Sequence, residues 1–125
     1  MDAAARPTAR ILVVDDNDAL RENLIEALEL EGYQVAAAAD GAKALARLGE
    51  DPSFGVVLLD LMMPGMDGRE ILQRIRQDPR LGGVRVVLTT GLTGSRARAG
   101  LPADGYLTKP FGVRELLAAL RRVGA

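Results

Sequence analysis

Short apolar runs that show no alternation, each ending in acidic or hydroxylic residues, constrain the fold of this chain more than any other feature. Ile11-Leu12-Val13-Val14 runs into Asp15-Asp16, and Val56-Val57-Leu58-Leu59 into Asp60. Val84 to Leu88, broken only by Arg85, runs into Thr89-Thr90. A strand with one wet face alternates apolar and polar residues. A run without alternation is buried on both faces, as in a parallel sheet covered by helices. Parallel neighbours need a crossover of about a dozen residues or more, usually a helix.

The segments between the runs supply those helices. Leu20, Leu24, Ala27 and Leu28 recur at i, i+4, i+7 and i+8, one face of a helix closed by Gly32. Tyr33 to Ala38 reads as a weaker, alanine-rich second strand. Ala42, Leu45 and Ala46 mark a short second helix ended near Gly49 and Pro52. After the turn residues Pro64 to Gly68, a helix carries Ile71, Leu72 and Ile75 and stops before Pro79. Tyr106-Leu107-Thr108 is a short fifth strand, and Val113, Leu116, Leu117, Leu120 and Val123 form a last amphipathic helix. Repeated β-α units of this kind predict an α/β fold, a doubly wound five-stranded parallel sheet with helices on both faces. Residues 1–9 are expected to be a disordered or extended tail and 10–125 the folded domain.

Gly91 to Gly105 breaks the pattern, with four glycines and Pro102 where a fourth helix is due. Only Leu92 to Ala99 has room for helix, and Gly94 lies inside it. Helices shorter than ~12 residues are marginal in water, and an interior glycine costs about 1 kcal/mol against alanine. At most two turns of helix are expected there.

Composition narrows the function. A chain of 125 residues is about one domain. There is no Cys and no His, which removes disulfides, thiolate metal sites, the usual zinc ligand and Ser-His-Asp catalysis. A net charge of −1 argues against direct nucleic-acid or membrane-surface binding. No apolar run approaches the ~20 residues of a membrane span, and MDAAARPTAR lacks the apolar stretch of a secretory signal. A cytoplasmic location is the expectation. Of the 16 cations only Lys43 and Lys109 are lysines, so arginine is the general surface cation.

In an open parallel sheet ligands bind beyond the carboxyl ends of the strands. Those ends carry Asp15-Asp16, Asp60, Thr89-Thr90 and Lys109-Pro110. An acid after a strand often caps the next helix, which accounts for any one of them but not for a lysine and a third acid on a central strand. Two carboxylates ~4 Å apart repel by about 4 kcal/mol at an effective dielectric of ~20. Three clustered acids therefore call for a cation. Lys109 is one, and an all-oxygen set selects a hard divalent ion such as Mg²⁺. A Mg²⁺ beside a hydroxyl and a lysine suits a transferring phosphoryl group. With no His, Cys or Ser among these strand-end residues, the available nucleophile is a carboxylate.

Asp15-Asp16 after a first strand, Asp60-Leu61-Met62-Met63-Pro64-Gly65-Met66-Asp67-Gly68, the Thr ending strand four and Lys109-Pro110-Phe111 together resemble a two-component response-regulator receiver domain, over roughly Arg10 to Val123. The resemblance implies a flavodoxin-like sheet in the order 2-1-3-4-5. It implies Asp60 as acceptor of a phosphoryl group from a histidine kinase or histidine phosphotransfer protein, and control of a downstream target. On the same basis Mg²⁺, with Mn²⁺ as the alternative, is held by Asp16, Asp60 and the backbone carbonyl of Met62, with Asp15 acting through a metal-bound water. Thr90 and Lys109 match the hydroxyl and lysine that meet the phosphoryl oxygens, and Tyr106 the aromatic switch position. Pro110 stands where the family often has a cis Lys-Pro bond. Met62 and Leu92 match the positions that govern water access, and Gly91 offers its amide. The implied protein catalyses only its own phosphorylation and dephosphorylation, and is a monomer or weak dimer. Thr90-Gly91-Leu92 also resembles a receiver subset in which the fourth helix is reduced or absent.

Three other readings fit less of the chain. A phosphatase of the haloacid-dehalogenase type needs Asp-x-Asp, which Asp16-Asn17-Asp18 supplies, but only Glu115 follows Lys109 as a further acid. A flavin module needs a hydroxyl-glycine phosphate loop after strand one, where this chain has acids. A receiver that binds without being phosphorylated has no need of the full set Asp15, Asp16, Asp60, Thr90 and Lys109.

Overall fold

The apolar runs form the centre of a five-stranded parallel sheet, in a computed structural model that describes residues 9–65, 67–91 and 101–125. The strands are β1 (Arg10–Val14), β2 (Gln34–Ala38), β3 (Val56–Asp60), β4 (Arg85–Thr90) and β5 (Gly105–Thr108). They lie in the order β2-β1-β3-β4-β5, and each pair is parallel. The helices are α1 (Asp18–Leu30), α2 (Gly41–Glu50), α3 (Gly68–Gln77) and α4 (Val113–Arg122), with a 3-10 turn at Pro79–Leu81. The short helix expected within Leu92 to Ala99 lies outside the described residues. Among the described residues no helix is long and apolar enough to cross a membrane.

Every residue of β3 is buried, which is why its sequence shows no alternation. The strands divide their side chains between two cores. Leu12, Val14, Val57, Leu59, Val86 and Leu88 meet α2 and α3 on one face. Ile11, Val13, Val56, Leu58 and Val87 meet α1 and α4 on the other. The period-two geometry of a strand sorts them.

Local chemistry sets the helix starts. Asn17 caps α1 by accepting the Leu20 amide at 3.0 Å. Asp40 caps α2 through the Lys43 amide at 2.8 Å, and Asp67 caps α3 through the Glu70 amide at 3.1 Å. Glu115 reaches back to the Gly112 amide at 2.9 Å to start α4.

Two helix faces differ from the sequence reading. In α2 the buried residues are Gly41, Ala44 and Leu48, while Ala42 and Ala46 are exposed and Leu45 is half-buried. Alanine is too small to mark a face, and Leu48 carries the burial. In α4 the buried residues are Leu116, Ala119 and Leu120, and Val113 at the first turn stands 50% exposed.

Candidate functional site

The carboxyl ends of β1, β3 and β4, together with the chain just past β5, bring the candidate residues to one edge of the sheet. Asp15 follows β1 and is 2% exposed; Asp60 ends β3 and is 4% exposed; Thr90 ends β4 and is 3% exposed. Asp16 is exposed. Carboxylate oxygens of Asp15, Asp16 and Asp60 lie within 4.8 Å of one another. Because Asn17 and Asp67 cap the following helices, Asp16 and Asp60 are not taken up by capping.

Each buried acid is held from several sides. Asp15 Oδ1 accepts the Asn17 amide at 2.9 Å, and its Oδ2 accepts from Lys109 Nζ at 3.0 Å. Its backbone carbonyl accepts from Arg21 Nη1 at 2.8 Å, a contact the sequence reading missed because nothing in the spacing of an amphipathic helix singles out one surface arginine. Asp60 Oδ1 accepts the Met62 amide at 3.2 Å and lies 3.4 Å from Lys109 Nζ. Burial pushes the Asp60 carboxyl above its usual range; Lys109 opposes this, and the charge on Asp15 adds to it.

Lys109 is fixed by its own backbone. Its amide donates to the Thr90 carbonyl at 2.7 Å, and the Lys109–Pro110 peptide bond is cis. β4 is tied to the acceptor strand in turn: the Leu61 amide donates to the Thr89 carbonyl at 2.8 Å. Thr90 has the strand parity of Val86 and Leu88, so it faces the α2–α3 side. Tyr106 in β5 packs against that same side and donates its hydroxyl to the Leu101 carbonyl at 3.0 Å. Thr90 and Tyr106 therefore share one face of the sheet. The Met62 side chain is 57% exposed, Gly91 is exposed just past β4, and Leu92 lies outside the described residues.

Gly68 adds a constraint. A Cβ there would stand 2.6 Å from both the Asp60 carbonyl oxygen and Leu61 Cα, so only glycine lets α3 start against the acceptor strand. The motif contained this residue, but its close approach is visible only in three dimensions. Asp18, the second acid of the Asp-x-Asp alternative, is an α1 residue paired with Arg21 at 2.6 Å, and its side chain is 81% exposed. It stands outside the acidic cluster.

The chain spans about half the length of the curated relatives it matches. It is 39% identical over 115 residues to the DNA-binding dual master transcriptional regulator RpaA of a Synechocystis species, covering 90% of this chain and 47% of that protein. It is 45% identical over 118 residues to the response regulator MprA of Mycolicibacterium vanbaalenii, covering 90% and 48%. Among solved structures, Vibrio cholerae chemotaxis protein CheY4 superposes with a TM-score of 0.87 at 32% identity, over 94% of this chain and 99% of that one. The Thermotoga maritima response regulator TrrA, solved in complex with Mg²⁺-BeF, gives 0.82 at 34% identity, over 93% and 99%. The sequence profile described as "Response regulator receiver domain" matches residues 11–121. With the sheet order and the acidic edge already in place, that match identifies the chain as a member of the response-regulator receiver domain family.

Proposed function

We propose that Asp60 is the residue on which this two-component receiver is phosphorylated, by a phosphohistidine of a histidine kinase or histidine phosphotransfer protein. One observation carries the reading: a buried carboxylate at the end of the central strand, clustered with Asp15 and Asp16 and 3.4 Å from a lysine ammonium. In the transfer an Asp60 oxygen attacks phosphorus, and the bond from phosphorus to the histidine nitrogen breaks. Lys109 meets the charge on the phosphoryl oxygens. Thr90 and the Gly91 amide supply hydrogen bonds to the same group, and Tyr106 follows Thr90 on their shared face of the sheet.

The hard oxygen donors fit Mg²⁺ or Mn²⁺. Asp16, Asp60 and the Met62 carbonyl would hold the ion directly and Asp15 through water. A bound divalent ion supplies positive charge to the transferring phosphoryl group. The chain's own activity is confined to gaining and losing this group. The working unit is residues 10–125, a cytoplasmic monomer or weak dimer that controls a downstream protein without itself contacting nucleic acid or membrane; the expected tail at 1–9 falls almost wholly outside the described residues.

Acetyl phosphate with Mg²⁺ is expected to add one phosphoryl group, read by intact mass. Asp60→Asn or EDTA is expected to abolish it, and labelling that survives Asp60→Asn would overturn the assignment. Asp16→Asn is expected to remove the rise in melting temperature that Mg²⁺ gives the parent chain.

A further inference from the structure

Among the described residues β2 is an outer strand and pairs with β1 alone. The Ala38 carbonyl accepts the Asp15 amide on the β1 side. Successive residues of a strand direct their backbone groups to opposite sides, so Val35 and Ala37 present N–H and C=O to the outer edge. Such an edge is a template for another strand, and proteins usually blunt it with charges or proline on the strand itself. β2 reads Gln-Val-Ala-Ala-Ala and carries neither.

Charge lies alongside instead. A groove of about 500 Å³ opens at the C-terminal end of β2, lined by alanines 37 to 39, by Arg21 of α1 and by Lys43, Ala46, Arg47 and Glu50 of α2. The spacing of Lys43, Arg47 and Glu50 puts them on one face of α2. Arg21 is engaged by Asp18 and by the Asp15 carbonyl. Among the described residues neither Lys43 nor Arg47 has a carboxylate within ion-pair distance. The groove thus joins a strand edge with no further strand partner among the described residues, a lining of small side chains, and two cations that form no ion pair among the described residues.

We propose that the outer edge of β2 is a docking site for an extended, acidic segment of a partner protein, which adds to the sheet beside Val35 and Ala37 and sets its carboxylates against Lys43 and Arg47. Main-chain pairing of this kind supplies affinity, and the flanking charges supply selectivity. A second copy fits less well: its β2 carries no acid, and its groove residues would set two cations and one acid, Glu50, against the same set. A nucleic-acid strand would meet the cations but lacks peptide groups to pair with the edge.

The probe is a fluorescent, end-blocked peptide of about six residues, the usual strand length, alternating Glu and Val. It is titrated against the full chain by anisotropy, with amide nitrogen-15 shifts recorded in parallel. Saturable binding is expected, with the largest shifts between Val35 and Ala39. Binding to the Lys43→Glu, Arg47→Glu double variant is expected to be roughly fivefold to tenfold weaker, the scale of two exposed charge contacts. Lys43→Gln with Arg47→Gln, which removes charge without reversing it, gives the same direction if the first variant is poorly folded. Proline at alternate positions of the peptide removes main-chain donors and is expected to abolish binding. No binding, equal binding of an alternating Lys-Val peptide, undiminished affinity in the variants or shifts confined to other elements would overturn the proposal. So would tighter binding of single-stranded oligothymidine at Lys43 and Arg47, or self-association through β2 in sedimentation velocity.

Discussion

Lys109 Nζ donates to Asp15 Oδ2 at 3.0 Å across 94 residues of sequence, and the same ammonium lies 3.4 Å from Asp60 Oδ1. One cation thus serves two carboxylates that are 2% and 4% exposed. Taking it away leaves two buried like charges facing each other, the costly arrangement for any ion pair. Lys109 itself keeps 26% of its side-chain exposure, so water replaces part of the loss. Lys109→Gln is therefore expected to destabilise the metal-free protein by about 1–3 kcal/mol at neutral pH, below the figure for a fully buried pair. Urea melts in EDTA measure it, and unchanged stability would mean that the ammonium does not compensate these acids.

Asp60 gives a pH dependence of opposite sense to an ordinary salt-bridged acid. Its folded pKa is raised above 3.8, chiefly by burial, so the folded state resists ionising it. Stability is then lost as pH rises from the unfolded value through the folded one, and the cost is complete above the folded value. Well below 3.8 the group is protonated in both states and the effect vanishes. Asp60→Asn removes the charge and keeps the shape. In EDTA it is expected to melt higher than the parent at pH 7, with the gap closing toward pH 4. A constant gap across that range would place the cause elsewhere.

Asp60, Asp15 and Lys109 were legible in the sequence because each sits where an apolar run stops, and strand ends of a parallel sheet share one edge. The parallel sheet followed from the same runs, whereas the strand order came from the family resemblance. Side-chain detail across the sheet followed from neither. Arg76 Nη1 donates to the Val84 carbonyl at 2.9 Å and its Nε to Pro102 at 3.0 Å. Its Nη2 pairs with Asp104, whose carboxylate also accepts the Val86 amide at 2.8 Å. This clasp ties α3 to the start of β4 and to the chain just before β5. Its residues lie 28 apart in the chain, and no local pattern marks either. The α2 face was misread for a different reason: alanine contributes too little burial to orient a helix.

Gly68 tests how tightly α3 is docked on the acceptor strand. Both atoms 2.6 Å from its would-be Cβ are backbone, so neither can swing away as a side chain would. Gly68→Ala is expected to destabilise by about 1–3 kcal/mol, the range of overpacked sites, and to slow labelling by acetyl phosphate because relief must move Asp60 or Leu61. Gly49→Ala is the control. That glycine lies in α2 with nothing within 4 Å of its would-be Cβ, and the change is expected to stabilise by about 0.5–1 kcal/mol through helix propensity. Equal effects at the two sites would remove the steric argument.

Met62 bears on how long the phosphoryl group survives, given Asp60 as the acceptor. Its amide is bonded to Asp60 at 3.2 Å, so the residue is fixed to the acceptor by its backbone while its side chain stands 57% exposed. A water attacking phosphorus in line needs a group to orient it or to take its proton. A thioether offers neither with useful strength, and Leu92, the other position that matches the family's control of water access, is also apolar. Slow self-hydrolysis is expected in the parent chain. Met62→Asn places an amide beside the acceptor and is expected to shorten the half-life about tenfold, a modest gain for a positioned water; adding Leu92→Glu is expected to shorten it further. Met62→Leu keeps the apolar character at similar volume and is expected to leave the lifetime unchanged. Loss of radiolabel from purified phosphoprotein, followed in the presence and absence of EDTA, separates the cases. If Met62→Leu accelerates the loss as much as Met62→Asn, bulk shielding rather than water orientation controls the lifetime.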